Sequence, residues 1–177
     1  IINPFLIVAD DLMSLEIISS FGASHIDKSK YDSSANSEAI FIPWVEQTNN
    51  EDPWQGHLTK LDYDGDIKWM KQIGNADTIT SETDTVGNLY IAWSNSNQSF
   101  ISEINPASGE FKWSTELFSK HQIRDLKVVG SKLYAVGTFR GAKTPLLKAF
   151  EKTDGTILWE KETRTTLSSV YTDIQSE

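Results

Sequence analysis

Gly65-Asp66-Ile67-Lys68-Trp69, Gly109-Glu110-Phe111-Lys112-Trp113 and Gly155-Thr156-Ile157-Leu158-Trp159 are three copies of one five-residue pattern. Their tryptophans stand 44 and 46 residues apart, a period that belongs to four-stranded modules repeated around an axis. Working outward from each tryptophan, the preceding stretches also align. His57-Leu58-Thr59-Lys60-Leu61-Asp62, Phe100-Ile101-Ser102-Glu103-Ile104-Asn105 and Leu146-Leu147-Lys148-Ala149-Phe150-Glu151 alternate apolar and polar residues over part of their length, as a half-buried strand does. Between strand and Trp lie Tyr63-Asp64-Gly65, Pro106-Ala107-Ser108-Gly109 and Lys152-Thr153-Asp154-Gly155, which read as hairpin turns, the first one residue shorter than the others.

A second family of strands lies further upstream: Ala39-Ile40-Phe41-Ile42-Pro43-Trp44, Leu89-Tyr90-Ile91-Ala92-Trp93 and Leu133-Tyr134-Ala135-Val136-Gly137. Their near-continuous apolar character predicts strands buried on both faces, as where sheet packs on sheet. Pro43 cannot donate to a ladder and predicts a bulge or an edge at its position. Weaker strands are expected at residues 78–83 and 122–128, which brings each module to four. The expected fold is therefore all-β, a β-propeller segment of four-stranded antiparallel blades of about 45 residues.

The modules fall at 37–77, 78–120 and 121–165, after an irregular N-terminal part, 1–36, and before the start of a further blade, 166–177. Residues 25–38, rich in Ser, Asp and Lys, read as a polar surface loop or a poorly ordered insertion. The stretch 11–18 fits a short helix or a strand, and 168–174 fits the first strand of another module. At about 45 residues per blade the 177 residues make just under four blades. Either the segment belongs to a larger propeller, or a small ring closes by pairing strands from its two ends.

Composition narrows the function classes. The net charge of −9, from 25 acidic and 16 basic residues without a basic run, argues against nucleic acid and against acidic membrane surfaces. The chain contains no cysteine, which removes disulfides, thiolate nucleophiles, Cys-ligated zinc and iron–sulfur clusters. The apolar stretch 5–9 is followed at once by Asp10 and Asp11, too short to span a membrane and unlike a signal peptide, so any targeting sequence is expected upstream of Ile1. Asn97-Gln98-Ser99 is a formal glycosylation sequon in a turn-like stretch.

The aligned units resemble the repeat of the pyrroloquinoline-quinone-like (PQQ-like) β-propeller superfamily in Leu58-Thr59-Lys60-Leu61-Asp62 through Gly65 to Trp69 and the two later copies. They are equally similar to the bacterial SBBP-type propeller repeat, whose first half Gly87-Asn88-Leu89-Tyr90-Ile91-Ala92 and Lys132-Leu133-Tyr134-Ala135-Val136-Gly137 match. The resemblance covers roughly residues 37–165 and implies that Trp69, Trp113 and Trp159 are structural residues docking blade on blade. It is silent on activity, since the superfamily includes quinoprotein dehydrogenases, outer-membrane assembly factors, luminal sensors and surface scaffolds. The dehydrogenases carry a vicinal disulfide that a cysteine-free chain lacks.

Candidate site residues are few. Asp62, Asp64 and Asp66 alternate around Gly65 as Ca²⁺ ligands can, but the equivalent turns keep the Gly without the full carboxylate set, and turn chemistry explains the motif with fewer assumptions. His25, His57 and His121 occupy unlike positions and predict neither a zinc site nor a catalytic base; no Gly-x-Ser-x-Gly elbow occurs. Trp54, in a polar loop outside the repeated unit, either caps a blade edge or offers an aromatic face to a sugar or a protein partner. Trp44 and Trp93 align with each other and are expected between blades.

The expected function is a non-catalytic scaffold or protein-interaction module without a cofactor, in an extracellular, periplasmic or cell-surface setting. Its partners would be a protein or further blades of the same polypeptide. Two other readings stand: a carbohydrate-binding propeller and a piece of a quinoprotein-like dehydrogenase.

Overall fold

Hairpins set the strand boundaries. The backbone closes across each repeated turn through Asp62 N to Asp66 O (3.1 Å), Asn105 N to Glu110 O (2.8 Å) and Glu151 N to Thr156 O (2.8 Å). Gly109 and Gly155 both adopt φ of 72°, a left-handed conformation that only glycine takes without strain. The computed structural model describes residues 33–49, 51–117, 121–139 and 145–162. The strand readings at 11–18 and 168–174, and His25, lie outside the described residues.

Three four-stranded antiparallel sheets result. The first is β1 (Ser34–Ala35), β2 (Ile40–Glu46), β3 (Gln55–Leu61) and β4 (Ile67–Asn75). The second is β5 (Thr78–Thr83), β6 (Leu89–Ser94), β7 (Ser99–Ile104) and β8 (Phe111–Leu117). The third is β9 (His121–Val129), β10 (Lys132–Phe139), β11 (Pro145–Glu151) and β12 (Ile157–Glu162). Within each sheet the spatial order is the chain order, a meander from inner to outer strand, and the described residues contain no helix. The sheets are successive blades.

Two apolar layers hold the blades together, and β6 serves both. Its alternation sends Leu89, Ile91 and Trp93 into a layer with Phe41, Val45 and Leu58 of the first blade. Tyr90 and Ala92 go into a layer with Leu133, Ala135, Leu146 and Phe150 of the third. Every residue of β6 is buried, which is why that strand reads as a continuous apolar run. A fully buried side chain of this kind contributes roughly 1.5–3 kcal/mol. In β10 only one face is so treated: Leu133 and Ala135 are buried, whereas Tyr134 and Val136 are half-buried.

The structure departs from the sequence reading at two points. β1 falls inside the stretch read as a polar loop. It is two residues long, pairs with Phe41 and Ile40, and is tied to the second blade by Ser34 Oγ to Ser81 Oγ (3.0 Å) and Thr83 Oγ1 to Ala35 O (2.6 Å). Polar anchors of that kind leave no apolar alternation to read. Pro43 lies in β2 with unbroken register opposite Leu58, so it marks no bulge on that side; on the other side the described pairing ends at Phe41, the edge-like position a proline needs.

Three bulges elsewhere repeat from blade to blade. Lys60 pairs with Trp69 and Leu61 with Ile67, leaving Lys68 as an extra residue; Lys112 and Leu158 are the extra residues at the corresponding places in β8 and β12. A bulge bends its strand and increases its local twist. Here it stands immediately before each tryptophan of the repeat.

Candidate functional site

Trp69 projects from β4 onto the second blade. Its Nε1 donates to Pro106 O (3.2 Å), and its ring lies over Gly109, where a Cβ would stand 3.3 Å from Cε3. Lys60 Nζ donates to the same carbonyl (2.9 Å), and Lys71 Nζ meets Glu110 Oε1 at 3.1 Å. Trp113 repeats the arrangement on the third blade. Its Nε1 is shared between Lys152 O (3.2 Å) and Glu103 Oε2 (3.0 Å), and Thr115 Oγ1 donates to Gly155 O (2.9 Å). Each repeat tryptophan also leans on an aromatic of its own blade: Phe41 on Trp69, Tyr90 on Trp113 and Tyr134 on Trp159, at centroid distances of 6.1, 6.3 and 6.0 Å.

The junction of the second and third blades carries a polar cluster that no sequence motif announced. Asp84, in the β5–β6 turn, accepts from Val86 N (3.1 Å), Asn88 N (2.8 Å), Asn88 Nδ2 (2.9 Å) and, from the next blade, Lys152 Nζ (2.9 Å). Burial by itself would raise the Asp84 pKa, but the hydrogen bonds from Asn88 and Lys152 outweigh it and hold the carboxyl below its ordinary value. The Tyr90 phenol is pushed up by burial and by the negative charges of Glu103 and Asp84. Glu103 is buried and takes Lys112 Nζ at 2.5 Å in addition to Trp113. Asn88, Tyr90, Glu103, Lys112, Trp113 and Lys152 line an open cleft of about 530 Å³ together with Thr153 and Asp154. An Asp four residues before Asn, with Gly between, is an Asx-turn signature that could have flagged Asp84; nothing local marks Lys152 or Glu103.

The carboxylates of the first turn are not brought to a common point. Asp62 Oδ1 accepts from Asp64 N (3.0 Å) and Asp66 N (2.9 Å), while its Oδ2 meets Lys68 Nζ at 2.5 Å. The Lys68 hydrogen bond and those from the turn backbone lower the Asp62 pKa. Among the described residues no three His, Asp or Glu side chains are grouped to hold a metal ion.

His57 stacks on Trp44 across the β2–β3 pair (centroids 4.3 Å, 16° between planes), as Phe100 stacks on Trp93 in the next blade (4.9 Å, 17°). Its Nε2 stands 3.0 Å from Glu46 Oε1. Burial lowers the His57 pKa, against an opposing pull from Glu46. The unfolded chain therefore protonates first. The His57 contribution to stability is complete above the ordinary value of 6.5 and is lost as pH falls beneath it toward the folded value. Urea midpoints between about pH 7.5 and about pH 5 should drop more steeply for the native chain than for His57→Phe, which keeps the stack without the titration. Equal slopes would show that His57 is not held neutral.

Trp54 lies at the opposite end of the blades from the repeated turns. It is half-buried, packs against the layer between the first two blades, and its carbonyl accepts from Ala76 N (2.9 Å). Side-chain amides surround this end: Gln72 Nε2 donates to Gln55 Oε1 (2.8 Å), Gln55 Nε2 to Asn75 Oδ1 (2.9 Å) and Asn95 Nδ2 to Asn75 O (3.4 Å). The sequon residue Asn97 is exposed in the β6–β7 turn at the same end, its N–H donating to Asn95 Oδ1 (2.9 Å).

No protein-family model matches this sequence, and no curated protein aligns with it significantly. Solved structures do. The β-propeller domain of the trilobed protease from Pyrococcus furiosus, which reveals an open velcro topology, matches at a TM-score of 0.53 and 15% identity over 78% of this chain and 43% of that one. Pyrococcus horikoshii acylaminoacyl peptidase matches at a TM-score of 0.52 and 12% identity, over 80% of this chain and 26% of that one. The chain thus spans less than half of either relative. At such identities the likeness concerns the fold: the chain is a β-propeller segment.

Proposed function

We propose that this propeller segment is a non-catalytic scaffold or protein-interaction module of the PQQ-like or SBBP-type repeat class, working in an extracellular, periplasmic or cell-surface protein. The observation that carries this reading is where the charged groups go. Asp84 pairs with Lys152 of the next blade, and Glu103 takes both Lys112 and Trp113, whose indole also donates to Lys152 O, so that these groups brace one sheet against the next. Side chains so committed stiffen the blades and leave the turns and loops as the presenting surface. The repeated Gly-to-Trp unit supports the PQQ-like assignment, and the acidic, cysteine-free composition suits an exposed setting.

The end that carries Trp54 favours a second reading. An aromatic ring beside a row of amides is the chemistry by which proteins hold sugars. A glycan array therefore decides between the two. Under the scaffold reading the chain gives no saturable glycan signal, and pyrroloquinoline quinone with Ca²⁺ neither raises its melting temperature nor leaves bound quinone absorbance. Glycan binding abolished by Trp54→Ala in a folded protein would install the carbohydrate reading instead. Quinone retention would return the chain to the dehydrogenases.

A further inference from the structure

The junction of the second and third blades departs from the repeat at the positions around its tryptophan. Strand pairing makes Tyr90, Glu103, Lys112 and Trp113 the counterparts of Phe41, Lys60, Lys68 and Trp69. The carbonyl that accepts from each indole makes Lys152 the counterpart of Pro106. At the first junction Lys60 Nζ donates to Pro106 O (2.9 Å) and lies 5.9 Å from the centre of the Phe41 ring, while Lys68 turns back to Asp62 of its own hairpin (2.5 Å). At the second junction the tryptophan contact is kept, but a phenylalanine becomes a tyrosine, a lysine becomes a glutamate and a proline becomes a lysine. Blade docking requires none of these exchanges, since the first junction holds without them. All three line the cleft of about 530 Å³, a volume within the roughly 300–1,000 Å³ of small-molecule sites.

Charge is layered in that cleft. The side chains of Glu103 and Asp84 are 8% and 3% exposed, whereas those of Lys112 and Lys152, which pair with them, are 41% and 22% exposed. The carboxylates are covered, and the ammonium groups stand toward solvent. An ammonium has three N–H donors; each of these two gives one to its carboxylate and keeps others to offer. The β8 bulge brings Lys112 into place, because as the extra residue it reaches the same carboxylate as Trp113 beside it. The remaining charged residue of the lining, Asp154, is exposed and accepts from Thr156 N (2.9 Å) within its own turn.

We propose that the cleft between the second and third blades binds a small solute by its oxyanion group, a carboxylate or a phosphate, held between the Lys112 and Lys152 ammonium groups. Charge-assisted hydrogen bonds from two cations favour such a group over a neutral one. The buried carboxylates behind the lysines keep both side chains aimed at the cleft, and the Trp113 ring forms part of its wall. The proposal adds a bound solute to the scaffold reading and does not depend on it.

A titration of the full chain followed by ¹⁵N-edited NMR tests it, with succinate and inorganic phosphate as probes, each set against sodium chloride of equal ionic strength. The Trp113 indole N–H and the Thr153 and Asp154 amides should shift saturably, with a Kd of roughly millimolar or below, and chloride should not reproduce the shifts. Saturation by one probe alone identifies the group that the cleft prefers; saturation by both shows that charge suffices. Lys112→Gln should weaken binding on the order of tenfold, and Lys112→Arg should keep it. Lys68→Gln, at the matching bulge of the first blade, should change nothing. Asp154→Asn should tighten binding about threefold by removing the exposed carboxylate; placed in a turn, it carries the test by itself should Lys112→Gln fail to fold. No saturation with either probe, equal effects of Lys112→Gln and Lys68→Gln, or weaker binding after Asp154→Asn would overturn the proposal.

Discussion

Gly155→Ala is expected to lower the unfolding free energy by about 3 kcal/mol, the larger part of it from a collision between blades. A Cβ at this position would stand 2.5 Å from Trp113 Cε3 and 2.6 Å from Thr115 Oγ1. Neither atom is the loose end of a flexible chain. The Trp113 ring is held by two hydrogen bonds and by Tyr90, and the Thr115 hydroxyl is bonded to the Gly155 carbonyl itself. Overpacking of this kind costs about 1–3 kcal/mol, and the left-handed φ adds about 1 kcal/mol for any residue with a Cβ. Two other glycines separate these contributions. Gly130 has φ of 61° and open space around it, so Gly130→Ala should cost only the backbone share, about 1 kcal/mol. Gly109, where the contact with Trp69 would be 3.3 Å, should fall between. Urea unfolding of the three variants should rank them Gly155, Gly109, Gly130; equal losses would mean that the tryptophans do not press on the turns.

Trp113→Ala is the substitution with the largest expected loss, about 3–5 kcal/mol. It removes the ring that bridges the second and third blades and leaves a cavity over Gly155, which the stiff hairpin beneath cannot fill. It also strips Glu103 of the Nε1 donor at 3.0 Å while that carboxylate stays buried. Trp113→Phe isolates the second effect: most of the packing survives, Lys112 still covers Oε1, and about 1–2 kcal/mol should be lost. Pairing Trp113→Phe with Glu103→Gln in a double-mutant cycle should show the two changes to be strongly non-additive. Additive losses would mean that the indole and the carboxylate do not share a bond.

How much of this was legible in the sequence follows from the range of the interactions. Hairpin chemistry is local, so the turns before Trp69, Trp113 and Trp159 and the strands around them could be placed from residues within one module. Residues 78–83, expected as one of the weaker strands, form β5 with those bounds. The continuous apolar run of β6 was readable because both its faces are covered by neighbours. The extra residues Lys68, Lys112 and Leu158 were not readable, since a bulge is defined by the partner strand and has no composition of its own. The brace was hidden for a related reason: Asp84 and Lys152 are 68 residues apart and belong to different blades. Trp54 was readable as an aromatic outside the repeat, but its seat against the layer between two blades depends on Ala76 and the strands on either side.

The direction of the tryptophan contact has a bearing on how such a chain is made. The first and second blades each give their ring to the one that follows, and the bonds concerned span 37 residues for Trp69 and 39 for Trp113. A blade emerging during synthesis therefore has its four strands before it has the turn on which its tryptophan will rest. Completion waits for nearly one further repeat of polypeptide and for no more than that. Each closure is a loop of the same modest length, so its entropic cost does not grow with the size of the array. Order can pass along the chain at the pace of translation, each blade finished by the arrival of the next.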